Sequence, residues 1–355
     1  MIDFVKRNER KLSFLAFLAG FAFDWLTVKY MELGPAGLVL GAYLLAIAMC
    51  IVVQNRILAR KKKGKISVFT ARFAPLLMQF LFGTLFNAAF IFYSESAELQ
   101  SSWPFIFFLL AVVLANELFR SRFGALHFQL VMFFIASFLY FVFAVPILIG
   151  KIGTAPFILS GAVSLVFLAI VMFALAKLAR ERFVEKHLVS VFVILSIFVL
   201  MNIAYFKNII PPIPLAMKSV GLYHSVSKVD GNYEVKYEPS ANRFWKRESR
   251  VFSAYPDSTA FVFASVFAPA RITVPISHEW WRYDDTAKTW VLVDKVSFPI
   301  TGGRKDGYRG YSIRRDIQSG KWRVYVSDKD GKHLGRISFR VEAVEKAPAL
   351  ESKKI

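Results

Sequence analysis

The chain has 355 residues, of which 56% are hydrophobic, and it carries a formal net charge of +20. Soluble globular proteins average roughly 45–50% apolar residues, so this composition excludes an ordinary soluble protein and favours a membrane protein. The single cysteine, Cys50, excludes a disulfide within the chain and a cysteine-based metal site.

Seven apolar stretches follow one another in the first 206 residues. A helix of about 20 apolar residues crosses the hydrocarbon core of a bilayer, and only a helix satisfies its own backbone there. No small-x-small cleavage site follows the first stretch, which favours an uncleaved span over a signal peptide. The sequence therefore predicts a polytopic α-helical membrane domain over residues 12–206, with spans at 12–30, 35–53, 68–93, 103–119, 126–149, 157–176 and 188–206.

Basic residues alternate between the loops of these spans. The segments on one side contain 16 lysines and arginines, including the loop NRILARKKKGK at residues 55–65, and the segments on the other side contain three. Because cytoplasmic loops are enriched in Lys and Arg, we expect residues 1–11 in the cytoplasm of a bacterium and the C-terminal domain in the periplasm. The same bias accounts for the net charge, so the charge does not predict a nucleic-acid partner.

Polar side chains are rare within the predicted spans, and the charged ones lie near helix ends. Ionisable and polar groups inside a bilayer are often functional, so Asp24 in the first span and Asn87 in the third are the first residues to test for a transport or catalytic role. Asp24 lies toward the outer end of its span, where it can instead reach the interface. Little else in the spans is typical of a transporter.

A proline-rich segment follows the last span and predicts an extended stalk over residues 207–216. Residues 217–345 then alternate strand-like segments with turns, whereas residues 346–355 are predicted to be a flexible tail. The segment AFVFASVFA, at residues 260–268, is apolar on both faces, which indicates a central strand. Seven or eight strands without a helical period favour an all-β, immunoglobulin-like sandwich domain.

Alternation along the strands separates inward from outward side chains. In residues 272–282, His278 and Trp280 continue an apolar face and are predicted to be buried, whereas Trp281 lies on the polar face. Trp322 begins another inward row. These three inward residues, His278, Trp280 and Trp322, are therefore interpreted as structural. Two outward rows in later segments are rich in arginine, and they consist of Arg323, Tyr325 and Ser327, and of Arg336, Ser338 and Arg340.

Outward aromatic and basic residues predict a binding surface in the β domain. The candidates are Trp281, Arg282 and Tyr283, together with Arg309 and Tyr311 from another segment. Aromatic rings beside arginines suit sugar rings or a protein partner. Residues 215–355 contain 25 basic and 16 acidic side chains, an excess that attracts anionic lipid headgroups or acidic glycans. The alternative interpretation is an ordinary solvated face.

Three motifs in this region resemble those of domain-of-unknown-function family 2914, found at the C-terminus of bacterial membrane proteins. The motifs are ISHEWW at residues 276–281, GYRGYSIR at 307–314 and GKWRVYVSDKDGKHLGRISF at 320–339. The matching positions are His278, Trp280, Arg309, Tyr311, Ser312, Gly320, Trp322, Val324, Gly331 and Leu334. The resemblance covers about residues 270–342 and implies the architecture of this region, without an activity.

No serine-hydrolase elbow, zinc-protease helix, phosphate-binding loop or dithiol motif occurs in the sequence. We therefore expect no catalytic residue, metal or cofactor. The favoured hypothesis is an inner-membrane protein whose periplasmic β domain binds an envelope glycan, an anionic lipid or another membrane-protein subunit. The alternative hypothesis is a transporter or membrane-embedded enzyme that acts on a lipid-linked substrate, with the β domain as an accessory.

Overall fold

The computed structural model describes residues 33–60, 64–96, 99–184, 187–211, 215–229, 232–240, 249–268, 273–302 and 307–355. The chain divides into two compact units, one helical and one built of β-strands. The predicted first span at residues 12–30, with Asp24, lies outside the described residues.

The helical unit contains seven α-helices and one 3-10 helix in its described part. The longer helices contain few polar residues, and prolines are tolerated inside three of them at positions 75, 104 and 146. The α-helices are α1 (Leu33–Ala59), α2 (Lys65–Ser96), α3 (Leu99–Leu118), α4 (Leu126–Ile149), α5 (Thr154–Leu178), α6 (Arg180–Val184) and α7 (His187–Phe206), and the 3-10 helix is Arg120–Gly124.

Five of these helices are long and apolar enough to cross a membrane. The crossing segments are Gly37–Ala59, Phe73–Ser94, Leu126–Ile149, Thr154–Leu178 and Leu188–Phe206, and a shorter apolar segment covers Ser102–Leu118. Six of the seven predicted spans therefore coincide with helices, and five have the length and composition of a span. The apolar helices indicate a membrane protein, while the count of seven crossings stays a prediction.

Helix α4 is the central helix of the unit. Its apolar span is 72% buried by other helices, compared with 22% for α7. Phe133, Phe134 and Phe138 of α4 are fully enclosed, whereas Leu188 and Phe192 of α7 are more than 70% exposed. An exposed surface of leucine and phenylalanine is stable in contact with lipid chains and unfavourable in water, so the outer helices have the surface of lipid-facing helices.

The β unit contains eleven strands in its described part, more than the seven or eight that the sequence predicts. The strands are β1 (Ala216–Tyr223), β2 (Ser225–Val229), β3 (Asn232–Tyr237), β4 (Val251–Ala254), β5 (Thr259–Phe267), β6 (Thr273–Asp284), β7 (Thr289–Thr301), β8 (Tyr308–Arg315), β9 (Gly320–Asp328), β10 (His333–Ala343) and β11 (Glu351–Lys354). The additional strands β2, β4 and β11 have five residues or fewer, and their pattern is weak.

These strands form three sheets, with orders β1-β5-β8, β4-β10-β9-β6-β7 and β11-β3-β2. Strands β4 and β10 are parallel, and the other described pairs are antiparallel. The all-β character of the C-terminal region agrees with the prediction. Its immunoglobulin-like type stays a prediction.

Strand β5 lies between two apolar layers, as its sequence predicts. Val262 of β5 packs in one buried cluster with Trp280 and Val324 of the five-stranded sheet. Phe263, on the opposite face of β5, packs with Val235 and other residues of the third sheet. The β1-β5-β8 sheet is therefore the middle layer, and this explains why β5 is apolar on both faces.

The C-terminal residues differ from the predicted flexible tail. Residues 351–354 form β11 and pair antiparallel with β3, and the Tyr237 hydroxyl donates a hydrogen bond to Glu351 at 3.0 Å. The prediction for 346–355 is therefore wrong over this strand, because four polar residues give no alternation that identifies an edge strand. The predicted stalk also ends earlier, since residue 216 already belongs to β1.

Candidate functional site

The residues predicted to form one binding surface lie on two different sheets. Trp281 and Tyr283 lie on β6, on the face of the five-stranded sheet opposite the buried Trp280; we call this face the outer face. Arg282 lies between them and pairs with the buried Trp322 of β9, so alternation directs it to the other face.

Arg309 and Tyr311 lie on β8 of the middle sheet and are separate from the outer face. The Tyr311 ring contacts Phe261 and Tyr233 at centroid distances of 5.9 and 6.3 Å. Arg309 donates a hydrogen bond to the backbone carbonyl of Ile355 at 3.2 Å. Strand pairing alone decides this separation, so sequence alternation within each segment cannot detect it.

Polar residues in the helical unit form a buried cluster that the sequence analysis did not identify. Gln129 of α4 donates to Gln54 Oε1 at 2.9 Å and accepts a bond from Asn55 Nδ2 at 2.7 Å. Arg182 donates to Asn55 Oδ1 at 3.1 Å. Because these groups satisfy one another, the cluster is best explained as a tie between helices. Asn87, the other intramembrane candidate, is 7% exposed in α2.

Three of the motif residues form a hydrogen-bonded bridge inside the β unit. The Trp280 indole donates to Ser312 Oγ at 3.0 Å, and His278 Nδ1 lies 2.9 Å from the same oxygen. His278 and Trp280 are both completely buried, as predicted from alternation. Since Ser312 belongs to β8 and the other two to β6, the bridge joins the middle sheet to the five-stranded sheet.

Burial lowers the pKa of His278 from its ordinary value of 6.5 to about 4. The charged imidazolium would lose its hydration in this environment, and the neutral ring is therefore favoured. Phe298 lies edge-on to the ring at 5.0 Å. These surroundings favour the neutral form of His278, as its interpretation as a structural residue requires.

Other motif positions, among them Val324 and Leu334, also belong to the core or to its turns. Trp322 is 2% exposed, and its indole donates to the carbonyl of Gln318 at 2.8 Å. Gly331 has a φ of 74° in the connection between β9 and β10, a left-handed conformation that glycine adopts without strain. These buried and turn positions therefore contribute to how the sheets pack.

A second, partly buried polar cluster joins the residue after β3 to β4 and to the β1–β2 connection. His224 Nε2 lies 2.7 Å from Glu238 Oε1, and Ser253 donates to the same carboxylate through its backbone N–H and its hydroxyl. Burial raises the pKa of Glu238, but the hydrogen bonds from His224 and Ser253 outweigh it, and the net effect is a lowered pKa. The Ser253 hydroxyl contacts Glu238, so this cluster does not have the order of a nucleophilic triad.

Cationic and aromatic side chains interleave on the outer face. The guanidinium of Arg323 lies 3.8 Å from the Trp290 ring centre and 5.2 Å from that of Tyr325. Arg336 lies 5.6 Å from the Tyr325 ring and donates to its hydroxyl at 3.3 Å. A guanidinium is attracted to the face of an aromatic ring at such distances. The contacts therefore restrain both arginine side chains.

These residues border an open groove of about 510 Å³ on the outer face. In the part of the chain that the structure describes, Glu342 is the one acidic residue of its lining. The basic residues of the lining are Arg250, Lys321, Arg323, Arg336 and Arg340. A concave surface in which basic side chains outnumber acidic ones and border an aromatic wall is suited to binding anions.

The arginines of β9 and β10 were visible in the sequence as two separate outward rows, but the groove was not. Antiparallel pairing places Arg323 opposite Ser338 and Lys321 opposite Arg340, which merges the two rows into one surface. Trp290 comes from β7 and had no pattern to distinguish it. No cluster of three potential metal ligands occurs among the described residues.

Comparison with known proteins adds one family match. Residues 274–341 match the model of a family described as "Protein of unknown function (DUF2914)", the family that the motifs resemble. No curated protein matches the chain. A solved structure, the Pseudomonas fluorescens alkylpurine DNA glycosylase AlkC bound to DNA containing an abasic site analog, is 11% identical, with 76% of this chain and 81% of that chain covered and a TM-score of 0.22. A similarity this low does not indicate a shared fold.

Proposed function

We propose that this chain is a bacterial inner-membrane protein whose C-terminal β domain faces the periplasm and binds a component of the cell envelope. The ligand is an anionic glycan, an anionic lipid or a subunit of a membrane complex. The observation that carries the proposal is the outer-face groove, where five basic residues and Trp290 are accompanied by one acid. Arg323 and Arg336 are held by their aromatic neighbours before a ligand arrives, which reduces the entropic cost of binding.

Membrane orientation is tested by cysteine labelling, because the chain has one native cysteine, Cys50. In a Cys50→Ser background, we expect Lys288→Cys to react with a membrane-impermeant maleimide in spheroplasts, since Lys288 lies in an exposed turn of the β unit. The matched control, Arg60→Cys, lies at the exposed end of α1 and should react only after lysis. The reverse labelling pattern would show that the periplasmic assignment is wrong.

Envelope binding is tested by photo-crosslinking in living cells. A photoreactive amino acid at position 321, in the groove lining, should form an adduct with an envelope glycan, lipid or membrane-complex subunit, identified by mass spectrometry. The same photoreactive amino acid at the exposed position 313, on β8 of the middle sheet, is the control. It should not form this adduct. Equal adducts at both positions, or none at either, would contradict binding at the outer face.

A further inference from the structure

Ser338 lines the groove, and its neighbours on the same face are cationic. Strand pairing places it opposite Arg323 of β9, and Arg336 and Arg340 are its outward neighbours along β10. Side chains on the same face of adjacent strands are about 5–8 Å apart. Three arginine side chains therefore start from positions next to a small hydroxyl side chain, close enough for them to extend to a single anion bound above it.

This arrangement has the chemistry of a phosphate site. Arginine binds phosphate oxygens through paired N–H donors, and these charge-assisted bonds are stronger than neutral ones. The Ser338 hydroxyl adds a donor from below. Because the described lining has five basic residues and one acid, Glu342, a phosphate compensates its charge better than an uncharged sugar or an isolated carboxylate does.

The chain itself indicates where such phosphates are concentrated. Residues 207–215 separate α7 from β1, and nine residues extend to about 30 Å at most. Phospholipid headgroups of a bilayer that contains α7 are therefore within reach of the tethered β unit and present at high effective concentration. We propose that the groove binds the phosphate of an anionic phospholipid headgroup. This inference rests on the proposed function, because it names the ligand of the same face.

Vesicle capture by the full chain tests the inference. The protein is held in nanodiscs of phosphatidylcholine and mixed with separate vesicles of phosphatidylcholine, with or without phosphatidylglycerol, and co-flotation is measured. We expect capture only of vesicles that contain phosphatidylglycerol. Ser338→Glu should weaken capture at least about tenfold, since its carboxylate occupies the anion position and repels the phosphate. Ser338→Ala should stay within about fivefold of the unmodified chain.

Two further variants complete the design. Arg315→Gln removes one exposed positive charge from β8, on the middle sheet, and should leave capture unchanged. If Ser338→Glu lowers the unfolding midpoint, the Arg336→Gln and Arg340→Gln double variant replaces it, with the same expected loss. A correctly folded Ser338→Glu protein that captures vesicles as the unmodified chain does would overturn the phosphate site.

Soluble competitors identify the source of the anion. Glycerol phosphate should release the vesicles, because it carries the headgroup phosphate, and inorganic phosphate should be weaker. Inorganic phosphate that competes as well as glycerol phosphate would overturn the lipid assignment. Polygalacturonate that competes while glycerol phosphate does not would overturn it in favour of an acidic glycan. Both of these results leave the proposed function standing, whereas the absence of an adduct specific to position 321 contradicts the proposed function itself.

Discussion

Trp280→Ala is expected to lower the free energy of unfolding of the β unit by about 3–5 kcal/mol. The side chain is completely buried and contacts Trp322 and Phe339 at ring distances of 6.4 Å. Its removal leaves a cavity and also takes away the indole donor to Ser312. Chemical unfolding of the full chain in detergent, followed by tryptophan emission, measures the effect, since five of the seven tryptophans lie beyond residue 215.

The neighbouring residue provides the matched control. Trp281→Ala removes the same side chain from the outer face, where it is partly exposed and contacts Tyr325 edge-on at 6.5 Å. We expect a loss of about 1 kcal/mol or less, because a half-exposed ring leaves no enclosed cavity. Equal losses for the two variants would contradict the assignment of Trp280 to the core and Trp281 to the surface.

The stability of the β unit is expected to fall as the pH decreases below about 6.5, because of His278. Burial lowers the pKa of this residue to about 4 in the folded protein, whereas the unfolded chain binds the proton near 6.5. Between these values the unfolded state holds more protons, so its free energy falls relative to the folded state as acid is added. The loss approaches about 1.4 kcal/mol per pH unit, and about 3 kcal/mol over the whole interval.

Unfolding midpoints between pH 7.5 and 4.5 measure this dependence. His278→Gln should remove most of the slope, while His333→Gln should keep it, since His333 is only half-buried beside Ser327. The pKa of Glu238 is lowered from its ordinary value of 4.5, so the stability that Glu238 contributes is lost mainly as the pH falls below that value. An unchanged slope in His278→Gln would mean that another group causes the acid sensitivity.

Much of the fold is predictable because it depends on the length of apolar stretches and on the spacing of apolar residues along each segment. Apolar stretches of membrane-spanning length identify α4 over the same residues, 126–149, that the structure gives. The two-residue alternation predicts that His278 and Trp280 are buried and that Trp322 joins them. Strand β11 is short and shows no alternation of polar and apolar residues. It is stabilised by pairing with β3. Sequence patterns therefore fail where long-range pairing alone stabilises an element.

The candidate site was predictable only in part, because it also depends on long-range strand pairing. The sequence identifies outward arginines one strand at a time, and it correctly directs Trp281 outward. It grouped Arg309 and Tyr311 with Trp281 because it contains no information on which strands share a sheet. Pairing of β9 with β10 instead brings together Arg323, Arg336 and their neighbours. A surface formed by residues from several strands becomes visible only when the strand order is known.

The bridge from His278 and Trp280 to Ser312 has a consequence for evolution. Most residues of the family-like motif, including Trp322 and Val324, point inward, while the neighbouring outward positions of β9 and β10 line the groove. Substitutions at the outward positions can therefore change ligand preference without disturbing the way the sheets pack. Proteins that share this interior need not share a ligand, and divergence in specificity is expected to appear first in the arginine rows.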